Sequence, residues 1–341
     1  EFNNLMNYLK LKSNISVLDI GSNDSTFLGF YKKNFFKLGV DPSGNRFLNN
    51  YKKNNSNLIS DFFSYKNISK KYPNKKFDII TSYAMFYDIE DPLNFCNDIA
   101  KLLKKNGVWN LELCYLPFLI QNMTYDQICH EHVTYYDLTM LKKILLKAKI
   151  KILDVSFNEI NGGSFNIICS KINSKWKSNK KKIAKIIKKE SALFHKNDLS
   201  SFSLRVKNSA KVIKEYLYLL KRTNKSVVGY GASTKGNIVL NYSKIDNNLI
   251  KYICDSNIFK LKKITPGSRI KIISKNEMRK MKSDYLFVLI WPFRKEVISQ
   301  EVSFIKKGGK LIFPLPLFHI VDKSNYKHYL KRDLADFAFK F

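Results

Sequence analysis

The sequence has 341 residues, with 60 Lys and Arg against 28 Asp and Glu, a formal net charge of +32. That length suits two domains, and a 45% hydrophobic share with 14% aromatics excludes a disordered solvating chain. The charge points towards nucleic acid, yet only seven basic residues are Arg and 53 are Lys, and Arg is the residue of bidentate base and phosphate recognition. With Asn abundant as well, the lysine excess reads as solvated surface. Five cysteines, at 96, 114, 129, 169 and 254, form no C-x-x-C pair, so a disulfide framework or a Cys-based zinc site is not expected and a reducing cytoplasm fits. No stretch approaches the eighteen apolar residues of a membrane span, and no signal peptide follows Glu1.

Short apolar runs are predicted as strands at Ile15–Ile20, Lys37–Asp41, Phe77–Ser82 and Val108–Leu113. A helix is predicted over 91–104, closed by Lys104, Lys105 and Gly107. A second helix, over 138–148, precedes two closing strands, Ile150–Phe157 and Ser164–Ser170. Alternating strands and helices predict an α/β fold with a doubly wound sheet. Lys171–Lys189 then carries nine lysines and no acid before Glu190. Val206, Ala210, Ile213, Leu217 and Leu220 follow at helical spacing. These two stretches predict a helical bridge. After residue 224 the rhythm restarts with strands at Ser226–Tyr230, Ile250–Cys254, Tyr285–Trp291 and Lys310–Phe313. The expected domains are therefore 1–170, a bridge over 171–224, and a second α/β domain over 225–341.

The first strand runs into Asp19-x-Gly21-x-Asn23, and Asp41 follows Gly21 by 20 residues, the place of a ribose-binding acid. The dinucleotide pattern G-x-G-x-x-G fails, because Asn23 and Thr26 stand where its second and third glycines belong. Close backbone approach to a pyrophosphate is not provided, so a ligand with a ribose and no pyrophosphate fits better. S-adenosylmethionine is such a ligand. The competing view is a plain structural turn.

Val17–Leu28 (VLDIGSNDSTFL), Gly39–Ser43 (GVDPS), His130–His132 (HEH), Asn161–Ser164 (NGGS) and Gly229–Asn237 (GYGASTKGN) form an ordered set over nearly the whole chain. It resembles the sugar C-methyltransferase family, whose members methylate carbon 3 of nucleotide-linked 4-keto deoxysugars with S-adenosylmethionine. The resemblance implies a class I methyltransferase-like domain, then a Rossmann-like domain that helps to hold the sugar nucleotide. It also implies a small zinc-binding domain in front, whose cysteine ligands have no counterpart here, so zinc is not expected in this chain. By resemblance, Asp19, Gly21, Ser22, Asn23 and Asp24 would hold the methionine end of the cofactor. Asp41 would take its ribose, and Asp61 with Phe62 would lie near its adenine. Two positions depart mildly from the family: Asp19 replaces Glu, and Ser25 replaces Gly.

Two of the five histidines sit in His130-Glu131-His132. An extended segment would put His130 and His132 on one side and Glu131 on the other. Too few further ligands stand nearby for metal, leaving a structural or an acid–base role. A proton beside a ketone is acidic through its enolate, and its removal calls for a base titrating near neutrality. The resemblance makes His132 that base, with Glu131 and His130 beside it. Cys129 stands where the family has an active-site Tyr. Tyr83, Tyr87 and Tyr115 lie near predicted strand ends, as ligand-side hydroxyls or as core.

Gly229–Asn237 follows a strand and opens a helix. It matches neither the Walker nor the dinucleotide pattern. Gly231, Ala232, Ser233, Lys235 and Asn237 suit phosphate oxygens, and the pyrophosphate of a sugar nucleotide is the expected ligand. Thr265-Pro266-Gly267 and Trp291-Pro292 are either rims of that pocket or ordinary turns. The expectation is a cytoplasmic C-methyltransferase with a small-molecule partner and neither nucleic acid nor membrane. Two alternatives stand: methylation of another acceptor, such as a hydroxyl, and a basic RNA-binding protein.

Overall fold

The computed structural model describes residues 15–196 and 199–332. The chain divides into two compact units that are not contiguous in sequence. The first runs to Tyr115 and adds Val133–Asn158 and Ser164–Ala192. The second takes Leu116–His132, Glu159–Gly163 and everything from Leu193. The expected boundaries at 170 and 224 thus miss two excursions, which carry the HEH and NGG motifs into the second unit. They also treat as one bridge two helices that belong to different units.

The first unit is a seven-stranded sheet of β1 (Ser16–Ile20), β2 (Phe36–Val40), β3 (Asn57–Ile59), β4 (Phe77–Tyr83), β5 (Leu103–Cys114), β6 (Ile150–Asn158) and β7 (Ser164–Lys171). Its order is β3-β2-β1-β4-β5-β7-β6, with β7 antiparallel to both neighbours and the other pairs parallel. This is the class I methyltransferase-like doubly wound sheet. Its central strands are apolar on both faces because both faces are covered: all five residues of β1 are buried. Val17, Ile79, Val108 and Leu153 share one core cluster beneath them.

Helix α1 (Pro92–Leu102) starts on Asp91, whose side chain accepts from the Asn94 amide, with Pro92 in the first turn. It stops two residues short of its predicted end. Leu103 is already extended, and Lys104, Lys105 and Gly107 lie in β5 rather than in a helix stop. Gly107 is needed there, since a Cβ would lie 2.7 Å from the Phe77 carbonyl oxygen.

Helix α2 (Leu138–Lys147) is capped by Asp137, which accepts from the Met140 amide. Glu190, on α3 (Lys180–Lys196), completes that cap. It is 1% exposed, yet it accepts from the Leu138 amide (2.7 Å), both donors of Thr139 (3.1 and 2.7 Å) and the Tyr115 hydroxyl (2.7 Å). Four donors and a helix N-terminus make a buried carboxylate tolerable. The single acid that closes the lysine run is therefore the residue that docks its helix onto the first unit.

The second unit is a six-stranded sheet of β8 (Val227–Tyr230), β9 (Tyr252–Cys254), β10 (Lys271–Ile273), β11 (Tyr285–Val288), β12 (Lys310–Phe313) and β13 (His319–Val321). The order is β10-β9-β8-β11-β12-β13, parallel except for β13. That is the Rossmann-like order with a reversed last strand. Helix α4 (Leu199–Arg222) buries the predicted stripe of Val206, Ala210, Ile213, Leu217 and Leu220. Arg205 of α4 donates to the carbonyls of Ile120 (2.9 Å) and Gln121 (3.4 Å), fastening the 116–132 excursion to this unit. Helix α5 (Thr234–Tyr242) is capped by Ser233, which accepts from the Gly236 amide.

Glu190→Ala would leave four donors without their acceptor, three of them on the first turn of α2. We expect a loss of about 3 kcal/mol, the scale of breaking a buried charged network. Amide exchange at Leu138 and Thr139 should accelerate first, and unchanged exchange there would refute the docking role.

Candidate functional site

In the first unit, β1 delivers Asp19 to the carboxyl edge of the sheet, where it is 4% exposed and accepts from Thr81 Oγ1. Burial pushes its carboxyl up to about 7, the Thr81 hydrogen bond opposing and the Asp41 charge adding. Gly21 turns the chain at φ 71°, and its amide donates to the Val40 carbonyl (2.9 Å). Asp41 Oδ2 accepts from the Asn23 amide (2.9 Å), and its Oδ1 from the amide and hydroxyl of Ser43 (2.7 and 2.6 Å). Asp19, Gly21, Ser22, Asn23, Asp24 and Asp41 are thus brought together as one cradle.

Part of its support comes from Tyr51 and Asn54, which no motif marks. Tyr51 shares a hydrogen bond with Ser22 Oγ (2.7 Å) and donates to the Asn23 carbonyl (3.0 Å). A Cβ on Gly39 would lie 2.5 Å from Ser22 Oγ, so the Gly of GVDPS lets β2 pass under the turn. Ser25 stands at φ 65°, backbone that favours glycine. Asn54 compensates, its amide donating to Ser25 O (2.8 Å) and Oγ (3.2 Å).

Asp61 and Phe62 lie at the surface. Asp61 accepts from the Phe62 amide (2.7 Å) and from Asn67 Nδ2 (2.8 Å), and Phe62 is 75% exposed. Tyr83, at the end of β4, is half-buried against Phe27 with ring centroids 4.8 Å apart. Tyr115 is a correction. It is wholly buried between Phe157 and Phe165, and its hydroxyl is committed to Glu190, so it belongs to the core. Tyr87 is buried as well, with its carbonyl taken by the amides of Val133 and Thr134.

The second unit gathers the remaining motifs. The three residues of the Tyr125–Gln127 turn each hold one neighbour. The Tyr125 ring packs on Tyr242 of α5 at 5.4 Å. Asp126 Oδ2 accepts from the Trp291 indole (2.8 Å), and Gln127 Nε2 donates to the Asn161 carbonyl (2.7 Å). Asn161 Oδ1 in turn accepts from Lys235 Nζ (3.0 Å). Gly162 must be glycine: its φ is 85°, and a Cβ would lie 2.3 Å from the Trp291 ring. Neither Asp126 nor Gln127 carried a sequence signal, since both sit just outside the HEH motif and act through partners far along the chain.

His132 is 9% exposed in this cluster. Burial pushes its imidazole down to about 4 and the Lys235 charge adds to this, while a hydrogen bond to the Gln127 backbone opposes it. The ring is therefore neutral at pH 7. Asp126 moves the other way, up to about 6, through burial, with the Trp291 hydrogen bond and the Lys235 charge opposing. The expected extended HEH segment is corrected to a tight turn, in which the His132 amide donates to the Cys129 carbonyl (3.2 Å). His130, unlike the buried His132, is 82% exposed at its side chain, 4.0 Å from the exposed Glu131. Cys129 is buried. Among the described residues, no group of three or more His, Cys, Asp or Glu could hold a metal ion.

At the second glycine turn, Gly231 has φ 90° and a Cβ would lie 2.5 Å from Ile290. Ala232 donates its amide to Asp255, and Ser233 caps α5. Asn237 Oδ1 is buried with no hydrogen-bond partner, an acceptor that the fold leaves over. A cavity of about 300 Å³ lies beside the NGG turn, lined by Ile160, Asn161, Pro292, Phe293 and Arg294 among others. Pro292 thus lines a pocket wall, whereas Pro266 and Gly267 pack on Asn241 as an ordinary turn. A larger cavity of about 720 Å³, among Met278, Arg279, Gln300 and Phe304, contains none of the motif residues.

Comparison with known proteins divides the chain into two matched stretches. The family described as C-methyltransferase C-terminal domain matches residues 159–316, and a methyltransferase domain family matches residues 3–155. The front half of the chain is thus similar to a methyltransferase domain, and the rear half to the C-terminal domain of C-methyltransferases. It is 28% identical over 233 residues to C-methyltransferase NovU of Streptomyces niveus, an alignment covering 68% of this chain and 55% of that protein. The chain thus spans little more than half the length of that relative. Structural similarity covers half of the chain and is weak. A putative methyltransferase of Bacillus halodurans matches with TM-score 0.40 at 13% identity, over 50% of this chain and 97% of that one. A putative S-adenosylmethionine-dependent methyltransferase of Listeria monocytogenes matches with TM-score 0.40 at 16% identity, over 50% and 96%.

The Gly162–Trp291 contact should be critical. Gly162→Ala is expected to cost roughly 3 kcal/mol, from overpacking plus left-handed strain. Gly308→Ala, at φ 98° with open space around it, should cost only about 1 kcal/mol. Chemical denaturation followed by tryptophan fluorescence compares the two, and equal losses would refute the packing argument.

Proposed function

We propose that the protein methylates carbon 3 of a nucleotide-linked 4-keto deoxysugar with S-adenosylmethionine. The observation that carries this reading is the grouping of a neutral, buried His132 with Lys235 and Asn161 in the second unit. The cradle of the first unit suits the cofactor: a carboxylate pair and a tight glycine turn for an amino acid and a ribose, with no pyrophosphate loop. Asp19, Gly21, Ser22, Asn23 and Asp24 hold the methionine end, Asp41 the ribose, and Asp61 with Phe62 the adenine. Bound there, the cofactor supplies an electrophilic methyl group. Gly231, Ala232, Ser233, Lys235 and Asn237 receive the diphosphate.

His132 removes the proton from carbon 3, and that proton stays on the imidazole. The enolate carbon would then attack the cofactor's methyl group, the carbon–carbon bond forming as the methyl–sulfur bond breaks with its electron pair left on sulfur. A base pushed down to about 4 is always available at pH 7 but is intrinsically weak. Substrate binding relieves part of this. Burial is the larger cause of the depression, and a diphosphate seated on Lys235 would offset the smaller one, the lysine's positive charge. Glu131 and His130, both exposed, serve at most as orienting groups at the mouth.

In heavy water, candidate 4-keto sugar nucleotides should acquire deuterium at carbon 3 without cofactor and a methyl group there with it. His132→Asn should lower both rates by about a hundredfold or more, the scale of general-base removal. A hydroxyl-methylated product, with no exchange at carbon 3, would replace this reading with O-methylation. The acidic limb of kcat/KM reports the free protein. Activity is lost as pH falls through about 4, where His132 becomes protonated, and Lys235→Met should move that limb to higher pH.

Cofactor affinity has its own pH dependence. The cofactor ammonium prefers an ionised Asp19, whose carboxyl titrates near 7. Affinity should fall as pH drops below 7, about tenfold per unit at most, by proton competition. Asp19→Asn should bind weakly and with a flat profile. A pH-independent affinity of the unaltered protein would remove Asp19 from the cofactor's binding set.

A further inference from the structure

A cavity of about 720 Å³ in the second unit lies apart from every motif residue. Ser283 and Gly309, both in its lining, stand just before β11 and β12, so it reaches the amino edge of the parallel sheet. The Gly231 turn leaves β8 at the carboxyl edge, where doubly wound sheets take their usual ligands. The cavity is therefore a separate place and not an extension of that turn.

Its walls are fixed by their own contacts. The helix Lys275–Lys280 starts on a capping box, in which the Ser274 hydroxyl accepts from the Glu277 amide (3.2 Å) and Glu277 accepts from the Ser274 amide (2.8 Å). That helix buries Met278 to 2% exposure and carries Arg279 next to it. Arg279 Nη2 donates to Glu301 Oε1 (3.1 Å), and the same oxygen accepts from the Tyr230 hydroxyl (3.1 Å). Glu301 is 3% exposed, so the guanidinium is braced by a buried carboxylate. That bond uses one of five N–H donors and leaves the rest of the fork for a ligand. Another wall is the Phe304 ring laid against Gly309, where a Cβ would lie 2.3 Å from the ring.

The chemistry of the lining is one-sided. Arg279, Lys282 and Lys307 are cations, and the one acid, Glu301, is already neutralised by Arg279. Arg is scarce in this chain, seven against 53 lysines, so a braced guanidinium is a placed group and not solvated surface. Ser283 is 7% exposed and its hydroxyl has no hydrogen-bond partner, a donor that the fold leaves over. Met278 and Phe304 add apolar surface. Cations with a spare hydroxyl suit phosphate oxygens, and the apolar wall suits a body attached to them.

We propose that this cavity binds a small phosphate monoester, its phosphate among Arg279, Lys282 and Lys307 and its apolar body on Met278 and Phe304. The site shares no residue with the glycine turns and does not depend on the nucleotide-sugar reading.

The test is isothermal titration of the full chain with phenyl phosphate, and with inorganic phosphate and phenol as its two parts. Phenyl phosphate should bind one per chain with a dissociation constant below about 1 mM, and each part about tenfold or more weakly. Lys307→Glu, at an exposed position, should weaken phenyl phosphate about tenfold or more, and so should Arg279→Gln. Arg279→Gln leaves Glu301 without its cation, so if that variant fails to fold, Lys307→Glu carries the test. Lys235→Met, at the glycine turn, should leave phenyl phosphate affinity unchanged. Binding that is lost in Lys235→Met and kept in Lys307→Glu puts the anion at the glycine turn and overturns the proposal. Absence of binding by the unaltered protein overturns it too, as does equal affinity for inorganic phosphate, which would make the apolar wall irrelevant.

Discussion

The second unit is organised around one buried hydrogen bond, from the Trp291 indole to Asp126, between residues 165 apart in sequence. Asp126 is 1% exposed, and a carboxylate in that position is tolerable only with donors and a counter-charge. Trp291 and the Lys235 charge provide them. The cost of that arrangement falls on Gly162, which gives up any side chain so that the indole can lie against it. Once Trp291 and Asp126 are fixed, the flanking residues have little freedom: Tyr125 meets α5, Gln127 reaches Asn161, and Asn161 holds Lys235. His132, five residues beyond Gln127, therefore inherits its position from packing rather than from its own motif.

That dependence explains what could be read from the amino-acid sequence. The strands were legible because covered sheets demand continuous apolar runs, as in Ser16–Ile20 and Tyr285–Val288. The α4 stripe was legible because helical burial has a fixed period. Short strands such as Asn57–Ile59 and His319–Val321 carry too few apolar residues to announce themselves, and pairing with a neighbour makes them. The helix stop at Lys104–Gly107 misled because tertiary pairing with Phe77 overrode a local end signal. The HEH segment misled for a similar reason. Alternation assumes an extended chain, and the Cys129–His132 turn breaks the alternation. Tyr115 looked like a strand-end hydroxyl only because Glu190, its partner, lies 75 residues away.

The large positive charge is mostly a property of the solvated faces. Lys37 is the one buried lysine among the described residues, with its Nζ on the carbonyls of Tyr31 and Asn54. Burial and the nearby Lys33 depress its pKa, as expected for a cation removed from water. Lys235 and Lys260 are different. Both are half-buried, and both donate into the second unit's turns, to Asn161 and to Ala232.

The two glycine turns lead into unequal helices. After Gly21 the chain makes only a four-residue helical turn, Thr26–Gly29, whose leading Ser25 is left-handed and offers no side-chain cap. After Gly231 it enters α5, nine residues long and capped by Ser233. Aligned amides and a macrodipole develop only in the longer helix. The first turn therefore leaves its contacts to side chains, whereas the second presents aligned backbone amides, so two turns that look alike in sequence differ in the chemistry they offer.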